Sequence, residues 1–169
     1  DVGSALDILH NSGFMHMDVS PSNILMADNQ VFKLGDFGSL CEIGQFEVGK
    51  EGAGPYVSPE ALMYPGNETE RVYVTEKTDI FSFGLVLLEV ATGYYAPRGG
   101  SKNYTRIRND SLKLGEENYM VNNEISQTLI NLINRMLSFD PDKRPSATSI
   151  TSHPMAIQYS KENFLSQNS

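Results

Sequence analysis

Two short stretches hold the residues whose types and spacing can do chemistry. The first is His16-Met17-Asp18-Val19-Ser20-Pro21-Ser22-Asn23, and the second is Gly35-Asp36-Phe37-Gly38. An Asp and an Asn five residues apart, in a tight turn that contains Pro, can direct both side chains into one cleft. A hairpin between the two stretches returns the chain to its start, as antiparallel strands do, and brings Asp36 back beside them. Oxygen donors of this kind suit Mg2+, which takes few carboxylates and fills its shell with water and substrate phosphates. Taken singly, each residue also reads as a turn former, Asp18 and Asn23 as caps and Asp36 in an Asx turn.

Periodicity supplies the elements that must position these residues. Val2, Ala5, Leu6 and Leu9 recur at helical spacing, with Gly13 as the stop. Ile24-Leu25-Met26, the polar turn from Ala27 to Gln30, and Val31-Phe32-Lys33-Leu34 predict a hairpin. Six glycines between Gly35 and Gly54 predict a loop, and Tyr64 to Glu70 a polar surface connection. The strongest helix runs from Ile80 to Ala91, capped by Thr78 or Asp79 and stopped by Gly93. It is apolar almost all round, which predicts the buried axis of the fold. Tyr94 to Asn118 is polar, with room for one short helix. Ser126 then starts a helix whose apolar face is Leu129, Ile130, Leu132, Ile133, Met136 and Leu137. Asp140-Pro141-Asp142 breaks the chain, and Ser146 begins a last short helix that ends near His153-Pro154. The expected class is mainly α, with short β-hairpins carrying the two chemical stretches.

Composition bounds the function. The 169 residues suffice for one domain with a proper core. Thirteen Lys and Arg against 21 Asp and Glu give a net charge of −8, which argues against nucleic acid or an anionic membrane as partner. One cysteine, Cys41, excludes an internal disulfide framework and a zinc site built from cysteines. No apolar run approaches 18 residues and no signal peptide is visible, so a cytoplasmic or nuclear address is expected.

The same residues, in order, resemble the C-terminal lobe of a eukaryotic-type protein kinase. The H-R-D-x-x-x-x-N catalytic loop matches at His16, Asp18 and Asn23, and D-F-G matches in full at Asp36-Phe37-Gly38. A-P-E stands as Ser58-Pro59-Glu60, and D-x-x-S-x-G is matched by Asp79, Ser82 and Gly84. Asp142-Lys143-Arg144-Pro145-Ser146-Ala147, followed by His153-Pro154, resembles the closing subdomain. The resemblance covers about residues 1 to 155. It implies a kinase-like C-terminal lobe over residues 1–157, followed by a polar tail over 158–169. ATP, Mg2+ and a protein substrate are the implied ligands. Asp18 and Asn23 are then the catalytic pair, with Asp18 taking or orienting the substrate hydroxyl proton. Asn23 and Asp36 would hold Mg2+ against the ATP phosphates, and with Leu25 they would be the nucleotide-contacting residues. His16 is expected to pack and hydrogen-bond beneath the loop. Asp79 is expected to hold the catalytic-loop backbone, and Glu60 to pair with Arg144.

Several positions depart from the pattern. Met17 replaces the Arg of H-R-D, which in the family meets a phosphate on the activation segment. Between Ser39 and Ser58 there is no Ser or Thr, so Ser/Thr phosphorylation of this loop is not expected to switch the protein. Ser20 stands where Ser/Thr kinases carry a Lys, and Ala53 where they often carry a Thr. The string from His16 to Asn23 resembles the Wee kinases, although those keep that Lys. No G-x-G-x-x-G occurs, and the first helix leads directly into the catalytic loop. The expectation is therefore a lobe whose N-terminal partner is missing, inactive alone, and exposing the apolar surface that partner would cover. A pseudokinase or interaction module on the same fold is the alternative.

Overall fold

The computed structural model describes residues 1–46, 54–62, 74–115 and 125–157. The expected polar connection at Tyr64–Glu70, Ala53 and the tail from Gln158 lie outside them. The described residues form helices and two small antiparallel sheets in the order α1 (Val2–Asn11), β1 (Phe14–Met15), β2 (Ile24–Met26), β3 (Phe32–Leu34), β4 (Cys41–Glu42), α2 (Pro59–Leu62), α3 (Lys77–Thr92), α4 (Lys102–Arg108), α5 (Gln127–Met136) and α6 (Ala147–Thr151). Single 3-10 turns at Pro21–Asn23 and Pro141–Lys143 complete the order.

Helix α3 is the axis, and its periodicity explains why. Ile80, Phe83 and Val86 point to one side and pack with Val2, Leu6, Val19, Leu34 and Ile150. Phe81, Leu85 and Leu88 point to the other side and pack with Ile107, Leu114, Ile130 and Ile133. Two cores thus share one helix, which is why its sequence is apolar nearly all round. At Gly84 the helix meets the end of α5 so closely that an added Cβ would lie 2.9 Å from Met136 Cβ. Gly93 ends α3 with φ 72°, and its N–H returns to Glu89 O at 2.8 Å.

The start of α3 differs from the expectation. It begins at Lys77, and neither Thr78 nor Asp79 caps it, since both side chains are taken by distant partners. Ser126 and Ser146 do cap α5 and α6, accepting from Leu129 N and Ser149 N. Helix α6 ends at Thr151, two residues before His153, and a further helical stretch covers 154–157.

The hairpin β2–β3 forms in the expected place, with Ile24 opposite Leu34 and Leu25 opposite Lys33. The second sheet joins β1 to β4, with Met15 opposite Cys41, inside the Gly-rich stretch read as loop. A two-residue strand whose partner lies 26 residues away leaves no periodic trace in sequence. A third, smaller core of Met15, Met17, Cys41, Val57, Ala61 and Val74 lies beneath these strands.

Candidate active site

The site is hung from Asp79, a fully buried carboxylate on the first turn of α3. Its Oδ2 accepts from the backbone N–H of His16 (2.8 Å), and its Oδ1 from that of Met17 (2.9 Å). His10 Nε2 lies 2.9 Å from Oδ2, which ties α1 to the same carboxylate. Successive N–H groups aimed at one anion hold the turn in an unusual shape, with Met17 at φ 66°. Left-handed backbone at a residue other than Gly is unfavourable by roughly 1–3 kcal/mol, and the two charge-assisted bonds offset it.

His16 fastens the turn to the second stretch. Its Nε2 meets Gly35 O at 3.0 Å, and its Nδ1 accepts from Asp18 N at 3.3 Å. A carbonyl only accepts, so the hydrogen sits on Nε2 and Nδ1 presents its lone pair. Both nitrogens are therefore used, the ring is fully buried, and Phe37 packs tilted against it at 5.2 Å. The packing role expected for His16 is what the structure shows.

Asp18 and Asn23 are brought together. The 3-10 turn Pro21–Asn23 directs Asn23 Nδ2 to both Asp18 O and Asp18 Oδ2, each at 2.8 Å. Both contacts are acceptors, which identifies the amide nitrogen and turns Oδ1 the other way. Asn23 O in turn accepts from Gly35 N at 2.8 Å, so the hairpin delivers Asp36 one residue beyond an atom bonded to Asn23. Asp36 is exposed, with φ 57°, and its Oδ1 accepts from Gly38 N at 3.1 Å. The Asx turn is thus present, Asp18 and Asn23 are in contact, and Asp36 follows directly on the residue bonded to Asn23. Leu25 stands on β2, 58% exposed, with its Cδ1 only 3.2 Å from where a Cβ on Gly35 would sit.

The donor set fits Mg2+. Asn23 Oδ1 and the second carboxylate oxygen of Asp36 have no hydrogen bond to protein among the described residues, and both are hard oxygen atoms. Among those residues no cluster of three or more His, Cys, Asp or Glu is gathered for a metal. Two of the departures from the motif, Met17 and Ser20, lie among the described residues. Met17 is buried in the small core with Met15, Cys41 and Val57. Ser20 is 1% exposed, and its hydroxyl pairs with that of Ser22 at 2.8 Å.

A second buried anchor stands below the site. Arg144 spends all five N–H donors: Nη1 and Nη2 on Glu60 (2.6 and 2.8 Å), and the rest on the carbonyls of Ser138, Lys77 and Phe139. Its guanidinium also lies over Phe81, 4.9 Å from the ring centroid. Glu60 thereby fixes Ser58-Pro59-Glu60, and the Ser58 and Thr78 hydroxyls bond each other beside it. The roles expected for Asp79, Glu60 and Arg144 are all realised.

Other residues carry weight that the sequence reading missed. Tyr56 OH donates to Glu89 Oε1 at 2.7 Å; burial first, and then this bond, push its hydroxyl pKa well up. Arg108 bonds the carbonyls of Pro55 and Val57, and burial pulls its pKa down to about 10. Its one local signal was Tyr104 at the i, i+4 spacing. His10 had none, because its partner lies 69 residues away.

The family model for the protein kinase domain matches residues 1–156. The chain belongs to the protein kinase family. Among curated relatives, this kinase chain is 32% identical to a calcium and calcium/calmodulin-dependent serine/threonine-protein kinase of Medicago truncatula, over 90% of the chain and 29% of that protein. It is 33% identical to a Wee1-like protein kinase of Arabidopsis thaliana, over 91% of the chain and 28% of the relative. The 3-phosphoinositide-dependent protein kinase B of Dictyostelium discoideum matches at 33%, over 88% and 16%. The kinase chain therefore spans between about a sixth and three tenths of the length of these three relatives. No helix among the described residues is long and apolar enough to cross a membrane.

Proposed function

We propose that residues 1–157 are the C-terminal lobe of a protein kinase, followed by a polar tail over 158–169. In the full-length protein this lobe takes part in moving the γ-phosphate of ATP to a protein hydroxyl, of Ser or Thr in the first instance and of Tyr as the further case. The observation that carries the reading is the bonded set Asp18, Asn23 and Gly35-Asp36, held to the buried Asp79 and His16.

In this reading Asp18 receives the proton of the attacking hydroxyl, since Asn23 Nδ2 fixes one of its oxygens and so sets the direction of the other. Asn23 Oδ1 and Asp36 hold Mg2+, which when bound neutralises charge on the transferring phosphoryl group. Leu25 offers an apolar surface to the nucleotide base. Leu25, Met26, Phe32 and Phe37 are all at least 45% exposed and lie on or beside the hairpin. That apolar surface supports a second lobe above the site in the complete protein. Without it the isolated chain holds only the floor of the nucleotide site and is inactive.

One observation favours the pseudokinase alternative. At the position of the missing catalytic-loop Lys, Ser20 is buried and bonded to Ser22, so no charge reaches the phosphate from there. Two variants of the full-length protein separate the readings. Asp18→Asn should keep Mg-ATP binding by calorimetry and lose transfer to protein, and Asp36→Asn should lose the Mg2+-dependent part of ATP binding. A wild-type protein that binds Mg-ATP and transfers nothing is a pseudokinase.

A further inference from the structure

Charge is unevenly distributed along the chain. Residues 90–109 hold four of its 13 cations, Arg98, Lys102, Arg106 and Arg108, and none of its 21 Asp and Glu. That stretch therefore carries +4, and the other nine cations against all 21 acids leave −12 on the rest. The two carboxylates that bound the stretch are occupied. Glu89 Oε1 accepts from Tyr56 OH and Ala96 N, and Asp110 Oδ1 from Lys113 Nζ and Phe139 N. Arg108 is buried and spends its donors on backbone carbonyls, with no carboxylate partner among the described residues, so its charge is not cancelled. Arg98 and Lys102 are exposed, and their side chains make no ion pair or hydrogen bond among those residues.

The fold gathers these groups. Ser101 N donates to Arg98 O at 3.1 Å, and this tight turn sets Arg98 beside Lys102 at the start of α4. Arg106 follows Lys102 by four residues and so shares its face of the helix, with Nη2 reaching Ser111 O at 3.3 Å. On the N-terminal side the surface turns apolar and aromatic. Val90, Tyr94 and Tyr95, on the last turn of α3 and just after it, are 79, 64 and 88% exposed, although most of α3 is buried. Exposed tyrosines next to unpaired cations match the composition of protein-binding surfaces, in which Tyr and Arg are enriched.

We propose that the strip from Tyr94 to Arg106 is a docking surface for an acidic segment of a partner protein, one in which Asp or Glu residues adjoin an apolar side chain. Carboxylates would meet Arg98 and Lys102, and the apolar side chain would lie on Tyr94 and Tyr95. The charge balance selects the occupant. Screening confines the strip's field to about 8–10 Å at moderate salt, so a short acidic segment feels the strip alone. A nucleic-acid duplex or an anionic bilayer presents its charge over a much larger area and also meets the −12 of the remaining chain, which repels it. This surface goes beyond the transfer reaction proposed above and requires no catalytic activity.

The test uses the full-length protein and a fluorescent peptide in which a run of Glu is flanked by Leu, with binding followed by anisotropy. Wild type should bind it, more weakly as salt is raised. Arg98→Gln with Lys102→Gln should weaken binding roughly tenfold, equivalent to about 1.4 kcal/mol, and flatten the salt dependence. Tyr94→Ser with Tyr95→Ser should weaken it by a similar factor while the salt dependence stays. Arg135→Gln with Lys143→Gln removes the same charge from exposed positions elsewhere and should leave binding unchanged. All six side chains are exposed, so folding is expected to survive each change. Absence of peptide binding by the wild type overturns the proposal. So does an equal loss in the Arg135 and Lys143 variant, which would leave only net charge, or equal binding of a peptide with Lys in place of Glu. Tighter binding to phosphatidylserine vesicles or to duplex DNA through Arg98 and Lys102 would replace the protein partner with a membrane or a nucleic acid and also overturns it.

Discussion

Replacing Arg144 by Met would leave Glu60 as a buried carboxylate with its two guanidinium bonds gone, and the expected consequence can be sized. Breaking a buried pair by removing one partner costs about 3–5 kcal/mol. Arg144 belongs in the upper half of that range, because its loss also strips donors from the carbonyls of Ser138, Lys77 and Phe139 and a ring contact from Phe81. About 4–5 kcal/mol is expected, and at about 2–4 °C per kcal/mol for a unit of this size the midpoint of thermal unfolding should drop by roughly 8–20 °C. Denaturant titration of the wild type, Arg144→Met, Glu60→Leu and the double variant forms a cycle. The double variant should be clearly more stable than the sum of the two single losses allows, since the two charges then vanish together. It should not reach the wild type, because three backbone carbonyls still lack their donor. A loss below about 1 kcal/mol for Arg144→Met, or strict additivity in the cycle, would refute the view that this pair anchors Ser58-Pro59-Glu60 to the helical core.

Three further outcomes follow from the structure. Gly84→Ala places a Cβ 2.9 Å from Met136 Cβ and 3.1 Å from Leu137 Cδ2, so α3 and α5 must part slightly; a loss of about 1–3 kcal/mol is expected by denaturant titration, the range for an overpacked core. Burial alone would raise the pKa of Asp110, but bonds from Lys113 Nζ and Phe139 N outweigh it and hold the carboxylate below its ordinary value of 3.8. A group lowered on folding stabilises above its unfolded value. The difference in unfolding free energy between wild type and Asp110→Asn should therefore be constant above about pH 5 and shrink as pH falls through 3.8 and below. Ser20→Lys in the full-length protein, whose longer stem can carry an ammonium out of the buried position, should raise turnover by roughly tenfold or more; equal and substantial rates in the two proteins would show that the missing Lys hardly matters.

Much of the site could be read before any coordinates, and the reason is that its signals are local or come as paired motifs. The spacing of Asp18 and Asn23 is set by one turn, the return of Asp36 by one hairpin, and the caps at Ser126 and Ser146 by bonds spanning three residues. The start of α3 went the other way because a long-range demand overruled a local one. Asp79 is a good capping residue, but its carboxylate is taken by amides 62 and 63 residues away. Likewise β4 and His10 are defined only by partners far along the chain, and no window of sequence displays them.

Asp18, Asn23 and Asp36 are proposed to form the transfer site of a kinase lobe. The most direct measurement gives the full-length protein Mg-ATP labelled on its γ-phosphate together with a mixture of proteins, and follows the label by mass spectrometry in wild type and Asp18→Asn. Labelled hydroxyl side chains are expected with the wild type, and a loss of at least about a hundredfold with Asp18→Asn, the scale of a general base. Equal labelling by both proteins would contradict this assignment.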